Sequence, residues 1–287
     1  MPKLTKKYSR KMKIFIPELN KTFTDKAQLF KELKANESKL IAIKKAAIYE
    51  SKSKGQFAPF ELTKDTVSQK GQPFPMKSGS VYPVINTINY YDSHGDVHRP
   101  GIWAKSVSEQ DGKLFYVMDH ELKTTSIIAW PNDVKPMVKV VSWAFLGKNY
   151  EGSTEALVYE IELDKIVNET AKRIIEEKRP IQNSVRMQYI KLRLGINSND
   201  KDYAENKIYF DSVYPDIVNK EAVDEAGYLW GIEEAKIIKE GSMVPFGSND
   251  ATPITYPESV DDNSEKTDPV NTNQVDYSRL LKHKFFN

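Results

Sequence analysis

Two short stretches about sixty residues apart hold the side chains best suited to chemistry. Residues 113–121 read KLFYVMDHE and residues 182–196 read QNSVRMQYIKLRLGI, each alternating as a strand does, and they deliver His120 and Ser184. A histidine and a serine on neighbouring strands form a base and a nucleophile for acyl transfer: the imidazole takes the hydroxyl proton as the oxygen attacks a carbonyl carbon. In a single strand Ser184, Arg186, Gln188, Ile190, Leu192, Leu194 and Ile196 share one face, so its apolar end belongs to a core and its polar end to a pocket. Val185, Met187 and Tyr189 face the other way, and the change of phase near Tyr189 predicts a bulge, a device that re-aims side chains beside active sites. Leu114, Tyr116, Met118 and His120 are likewise in phase. A plainer reading stays open, in which His120 is a satisfied strand-end histidine and Ser184 an ordinary strand serine.

A second cluster is His94, Asp96 and His98 in YYDSHGDVHRPG. Alternation would present all three to one side as ligands for a hard metal or zinc. Gly95 and Pro100 instead mark an irregular loop, so we expect neither a metal nor a cofactor. Ser242, in KEGSMVPFG, is a rival nucleophile whose flanking glycine and downstream proline read as a turn. The phosphate-cradling, dinucleotide-binding and GxSxG patterns are all absent.

Composition narrows the chemistry further. The 287 residues include no cysteine, which removes disulfides, thiolate nucleophiles and iron–sulfur clusters together. The N-terminus is basic without an apolar core of signal-peptide length, and no apolar run approaches the ~20 residues that span a bilayer, so the expected location is a cytoplasm. The net charge of +2 hides a polarity. Residues 1–54 hold 15 Lys/Arg against 5 Asp/Glu, whereas residues 250–277 hold 7 acids against Lys266 alone. With few aromatics interleaved for base stacking, the basic arm reads as a solvated segment rather than a nucleic-acid site.

These patterns predict the elements that must position the chemistry. Residues 24–36 form a helix with Ala27, Phe30, Leu33 and Ala35 on one side behind a Thr24 cap, and residues 39–50 form a strand. Residues 51–80 read as a mobile loop. Strands follow at residues 81–90, 114–118, 137–145 and 155–163, the last with Leu157, Tyr159, Ile161 and Leu163 inward and Val158 outward. Residues 164–178 switch to a helical period and stop before Pro180, residues 201–226 are helical less regularly, and residues 229–238 form the last strand. From 250 to 277 the composition favours disorder, and residues 277–286 form a short helix or docking peptide.

Four ordered blocks covering about residues 84–254 resemble the prohead proteases of tailed bacteriophages, the serine proteases of capsid maturation. Asp92, Ser93, Gly95, Asp96, Pro100 and Gly101 match that family's Asp-Ser-x-Gly-Asp loop and following Pro-Gly. His120 matches its histidine after a strand, Ser184 its serine strand, and Glu240, Ser242, Val244 and Asn249 its Glu-x-Ser-x-Val segment and asparagine. The resemblance implies an α+β fold similar to herpesvirus assemblin, mainly an antiparallel β-barrel flanked by helices. It implies Ser184 as nucleophile, His120 as general base and Glu240 as the acid that orients the imidazole, since Asp119 and Glu121 would point away on a strand. Where the family has glycine two residues after the serine this chain has Arg186, a candidate to stabilise an oxyanion itself. The expected domains are a basic arm with a helix (1–38), a protease domain (39–249) and an acidic tail with a docking segment (250–287). The implied partners are the major capsid protein and scaffold as substrates, together with copies of the chain itself, inside the assembling procapsid of the host cytoplasm, with self-cleavage of the tail and no membrane or nucleic-acid partner. The alternative is an inactive relative that only helps build the shell.

Overall fold

The computed structural model describes residues 13–50 and 73–257. The expected docking segment and most of the expected mobile loop lie outside them. The fold is α+β with six α-helices among the described residues. Strands β1 (Ile14–Ile16) and β2 (Lys21–Phe23) form a hairpin, followed by helices α1 (Lys26–Ala35) and α2 (Glu37–Ala46). Then come β3 (Ser80–Thr87), β4 (Asp96–His98), α3 (Ala104–Gln110), β5 (Phe115–Met118), β6 (Ile127–Ala129), β7 (Lys135–Ser142) and β8 (Ser153–Glu162). The chain continues through α4 (Glu169–Glu176), β9 (Gln182–Ile196), α5 (Ala204–Val213), α6 (Lys220–Ala226), β10 (Tyr228–Val244) and β11 (Ile254–Thr255). No helix among the described residues is long and apolar enough to cross a membrane.

Two larger sheets carry the architecture. One runs β11-β3-β8-β7, antiparallel throughout. The other runs β4-β10-β5-β6, with β9 also on β10. The barrel that the resemblance implies is not closed among the described residues: their hydrogen-bonded strands make separate sheets and no ring. In the second sheet β10 is the organising strand. It pairs antiparallel with β9 along its length, and on the opposite edge it pairs parallel with β4 near its start and with β5 near its end.

The first sheet is buried on both faces, which corrects the one-sided reading of β8. Leu157, Tyr159 and Ile161 join the main core with Val81 and Ile85 of β3, while Ala156 and Val158 join a second core with Tyr82, Val84 and Trp143. Val158 is therefore inward, because this sheet has apolar layers on both sides.

Several sequence expectations change for identifiable reasons. Residues 37–46 are helical rather than a strand. Leu40 and Lys44, one helical turn apart, are both buried, at 1% and 2% exposure, and a buried lysine hides the apolar period. Asp25, not Thr24, caps α1, its carboxylate accepting the Gln28 N–H, and the helix buries Leu29, Phe30 and Leu33 while Ala27 and Ala35 are exposed. The last long strand continues to Val244, so Ser242 lies in a strand rather than a turn. Residues 250–257 are built into the fold rather than disordered: Ala251, Thr252 and Ile254 are buried, and β11 extends the first sheet. Contacts divide the chain after Pro257, later than the expected boundary at 249.

Lys44 ties the N-terminal segment to the rest. Its Nζ stands 2.9 Å from Asp96 Oδ1 and 3.3 Å from Glu18 Oε1, over the rings of Tyr49, Tyr189 and Trp230. Burial alone would push the ammonium's pKa down, but the facing acids outweigh it and hold it above the ordinary lysine range. Lys44→Ala strands the Asp96 carboxylate in the core and should cost about 3–5 kcal/mol of stability, read as a lower urea midpoint. A chain ending at Gly247 loses Asn249, Ala251, Thr252 and Ile254 and should fail to give a cooperative transition.

Candidate active site

The site is assembled where β10 changes register. Opposite β9, Ile237 pairs with Met187 and Gly241 pairs with Val185, so Ile238, Lys239 and Glu240 together face the single residue Arg186. Lys239 adopts a left-handed φ of 66°, the backbone signature of this bulge. A second irregularity sits at Ile190, which the pairing skips between Tyr189 and Lys191, where the phase change in the sequence placed one. Gly241 follows the first bulge because Tyr159 crosses there: a Cβ at this position would lie 2.7 Å from the ring.

The bulge restores a register in which Ser242 pairs directly with Ser184. Glu240 and Ser242 lie on one face of β10, and Ser184, the cross-strand partner of Ser242, lies on that same face. On the other edge Ser242 pairs with Val117 of β5. Beyond Met118 the chain leaves strand geometry: Asp119 and His120 are both left-handed, at φ 51° and 57°, and the Glu121 N–H closes the turn on Met118 O. His120 thus reaches the site through a turn rather than in phase along a strand. Asp119 and Glu121 are exposed.

One hydrogen bond holds the His120 backbone and another its imidazole. The His120 N–H donates to Ser242 Oγ at 2.8 Å, and Ser242 Oγ donates to Val117 O at 3.1 Å. His120 Nδ1 lies 2.8 Å from Glu240 Oε1. An ionised carboxylate only accepts, so this contact places the proton on Nδ1 and leaves Nε2 as the basic nitrogen. Ser242, fully buried and committed at its hydroxyl, positions His120 rather than offering a nucleophile. Burial pushes the Glu240 carboxyl above its usual pKa range, and the neighbouring His120 and Arg186 pull against that shift. Arg186 Nε stands 3.6 Å from Glu50 Oε2.

A small open cleft reaches Ser184 along the edge of β9 that faces away from β10, lined among others by Tyr49, Glu50, Ser184, Val185, Asn249 and Thr252. His120 and Glu240 are not in its wall, and Ser184 and His120 are each only 7% exposed. The Asn183 N–H donates to Thr252 O and the Met187 N–H to Tyr49 O, so by alternation the main chain of Val185 faces the same side, between those two filled positions. Sequence reasoning missed this wall. Tyr49 and Glu50 follow a helix mistaken for a strand, and Thr252 sits in a segment mistaken for tail. Asn249, picked out by its place in a motif, is a staple whose side-chain amide donates to the Thr87 backbone and hydroxyl.

The cluster His94, Asp96 and His98 is not brought together as a ligand set. Asp96 is engaged by Lys44 and by the Tyr189 hydroxyl at 2.7 Å, His98 Nδ1 by Asn86 Oδ1 at 2.9 Å, and His94 faces Asp92 at 3.7 Å. Burial pushes the His98 imidazole down to about 4, a neutral core histidine. Among the described residues no group of three potential metal-ligating side chains converges.

Compared with known proteins, the chain matches no family model, no curated protein and no solved structure. The site's own geometry therefore carries the functional argument. Ser242→Ala would leave the buried His120 backbone N–H without its acceptor. It should cost about 1–3 kcal/mol by urea unfolding, beyond the small effect of a surface serine.

Proposed function

We propose that the protein is a serine endopeptidase of the prohead-protease type, cleaving capsid and scaffold proteins during phage procapsid maturation. The observation that carries this reading is the 2.8 Å bond between His120 Nδ1 and the buried Glu240, set on the sheet face that presents Ser184. In the proposed reaction His120 Nε2 accepts the Ser184 proton as Oγ attacks the scissile carbonyl. Glu240 holds the tautomer and stabilises the imidazolium, and the same proton passes to the leaving amine. Water then releases the acyl-enzyme by the reverse sequence. Arg186, two residues along the Ser184 face, is the proposed cation for the oxyanion. Val185, its main-chain groups turned to the cleft beside Ser184, favours an extended polypeptide over a small molecule as substrate. Self-association and a place inside the procapsid belong to the same proposal, drawn from the motif order.

A second reading, an inactive shell component of the same ancestry, is favoured by one observation: Ser184 is 7% exposed beside an arginine where the resembling family has glycine. Co-expression with the phage's capsid and scaffold proteins separates the two. New termini found by mass spectrometry should disappear in Ser184→Ala and in His120→Ala, both still folded, and the double variant should be no worse than either single one because the pair acts as a unit. Unchanged processing by purified Ser184→Ala protein would refute the assignment.

A further inference from the structure

The bulge that sets Glu240 against Arg186 leaves two groups of opposite charge unsatisfied on one side of the sheet. Glu240 Oε1 is taken by His120, while Glu240 Oε2 is buried with no hydrogen-bond partner, and so is Arg186 Nε. Both sit in surroundings where an uncompensated charge is costly. Arg186 has a second acid to serve, since Glu50, carried in by the N-terminal segment after α2, stands 3.6 Å from its Nε. Arg186 thus faces the β10 bulge that carries Glu240 and, at 3.6 Å, an acid in the cleft wall. The titratable groups facing Glu240 are His120 from the turn after β5, Arg186 from β9, Glu50 from the N-terminal segment and Tyr159 from β8.

From this geometry we propose that Arg186 and Glu50 are opposed positioning residues: Arg186 keeps Glu240 ionised so that it can hold His120, and Glu50 tempers that effect by sharing the guanidinium. The catalytic consequence rests on the endopeptidase reading. Burial raises the Glu240 carboxyl, Arg186 draws it down and Glu50 pushes it up. The signs follow. Removing the guanidinium makes the His120–Glu240 pair take up a proton more readily, so the acid limb of kcat/KM against pH moves to higher pH. Removing the Glu50 charge moves it lower. Oxyanion stabilisation by Arg186 is a separate effect, because it lowers the plateau rate without moving the limb.

The test is a histidine NMR titration of the folded full-length protein, with the His120 signal assigned by His120→Gln, alongside the pH profile of substrate cleavage. Arg186→Gln should move the titration of the His120–Glu240 pair to higher pH, Glu50→Gln should move it to lower pH, and Arg186→Lys should restore most of the original midpoint. Midpoints that stay within a few tenths of a unit, or that move the same way in both variants, would overturn the proposal. The NMR readout needs no substrate, so it decides the electrostatic claim even if the wild-type protein cleaves nothing, an outcome that would count against the protease reading instead. Should Arg186→Gln fail to fold, Glu50→Gln tests the claim alone by the direction of its shift.

Discussion

The three-to-one bulge of β10 against Arg186 is the constraint on which the site depends. A regular strand of this length would carry its alternation straight through, and the register opposite β9 would place other residues across from Ser184. The extra residues at Ile238 and Lys239 absorb the mismatch. They bring Glu240 within hydrogen-bond reach of His120 Nδ1 and set Ser242 opposite Ser184, where one hydroxyl joins β10 to the turn after β5. Side chains of the candidate site from three segments are located by this one backbone irregularity, and Gly241 makes it sterically feasible where Tyr159 passes close by.

Around that centre the wall of the cleft comes from both ends of the described chain. Lys44 locks α2 onto Asp96 and a set of aromatic rings, and the few residues that follow carry Tyr49 into a two-bond bridge with Met187 and Glu50 towards Arg186. From the other end Asn249 and Thr252 fasten the segment after β10 to Thr87 and Asn183. The cleft is thus bounded on a strand edge by two unrelated pieces of chain, each held by a buried polar anchor rather than by apolar packing alone. Buried polar anchors of this kind are costly when broken and specify a single arrangement when complete.

Much of the fold could be read from periodicity. The strand at Gln182–Ile196, the bulge near Tyr189, and the helix stopping before Pro180 all follow from side-chain alternation and turn chemistry acting over short range. Reading failed where a residue's burial ran against its type. Lys44 hid a helix because a lysine is normally counted as outside, and Val158 was placed outward because one face of a sheet is normally wet. Thr252 and its neighbours were lost because their small polar side chains are satisfied by distant backbone groups, which composition alone does not show.

By itself the sequence determined the chemical candidates: a chain without cysteine, a serine in a strand with a polar end, a histidine just past another strand, and an acid whose motif position set it apart from Asp119 and Glu121. Those are properties of residue type and local spacing. Tertiary structure alone decided their placement, because Ser184, His120 and Glu240 are far apart in sequence and are carried to one region by the pairing of β9 and β5 with β10. The parallel pairing of β5 with β10, the left-handed turn at Asp119 and His120, and the pairing of Arg186 with Glu50 leave no trace in local periodicity. Each satisfies polar groups that come together only once the chain has collapsed.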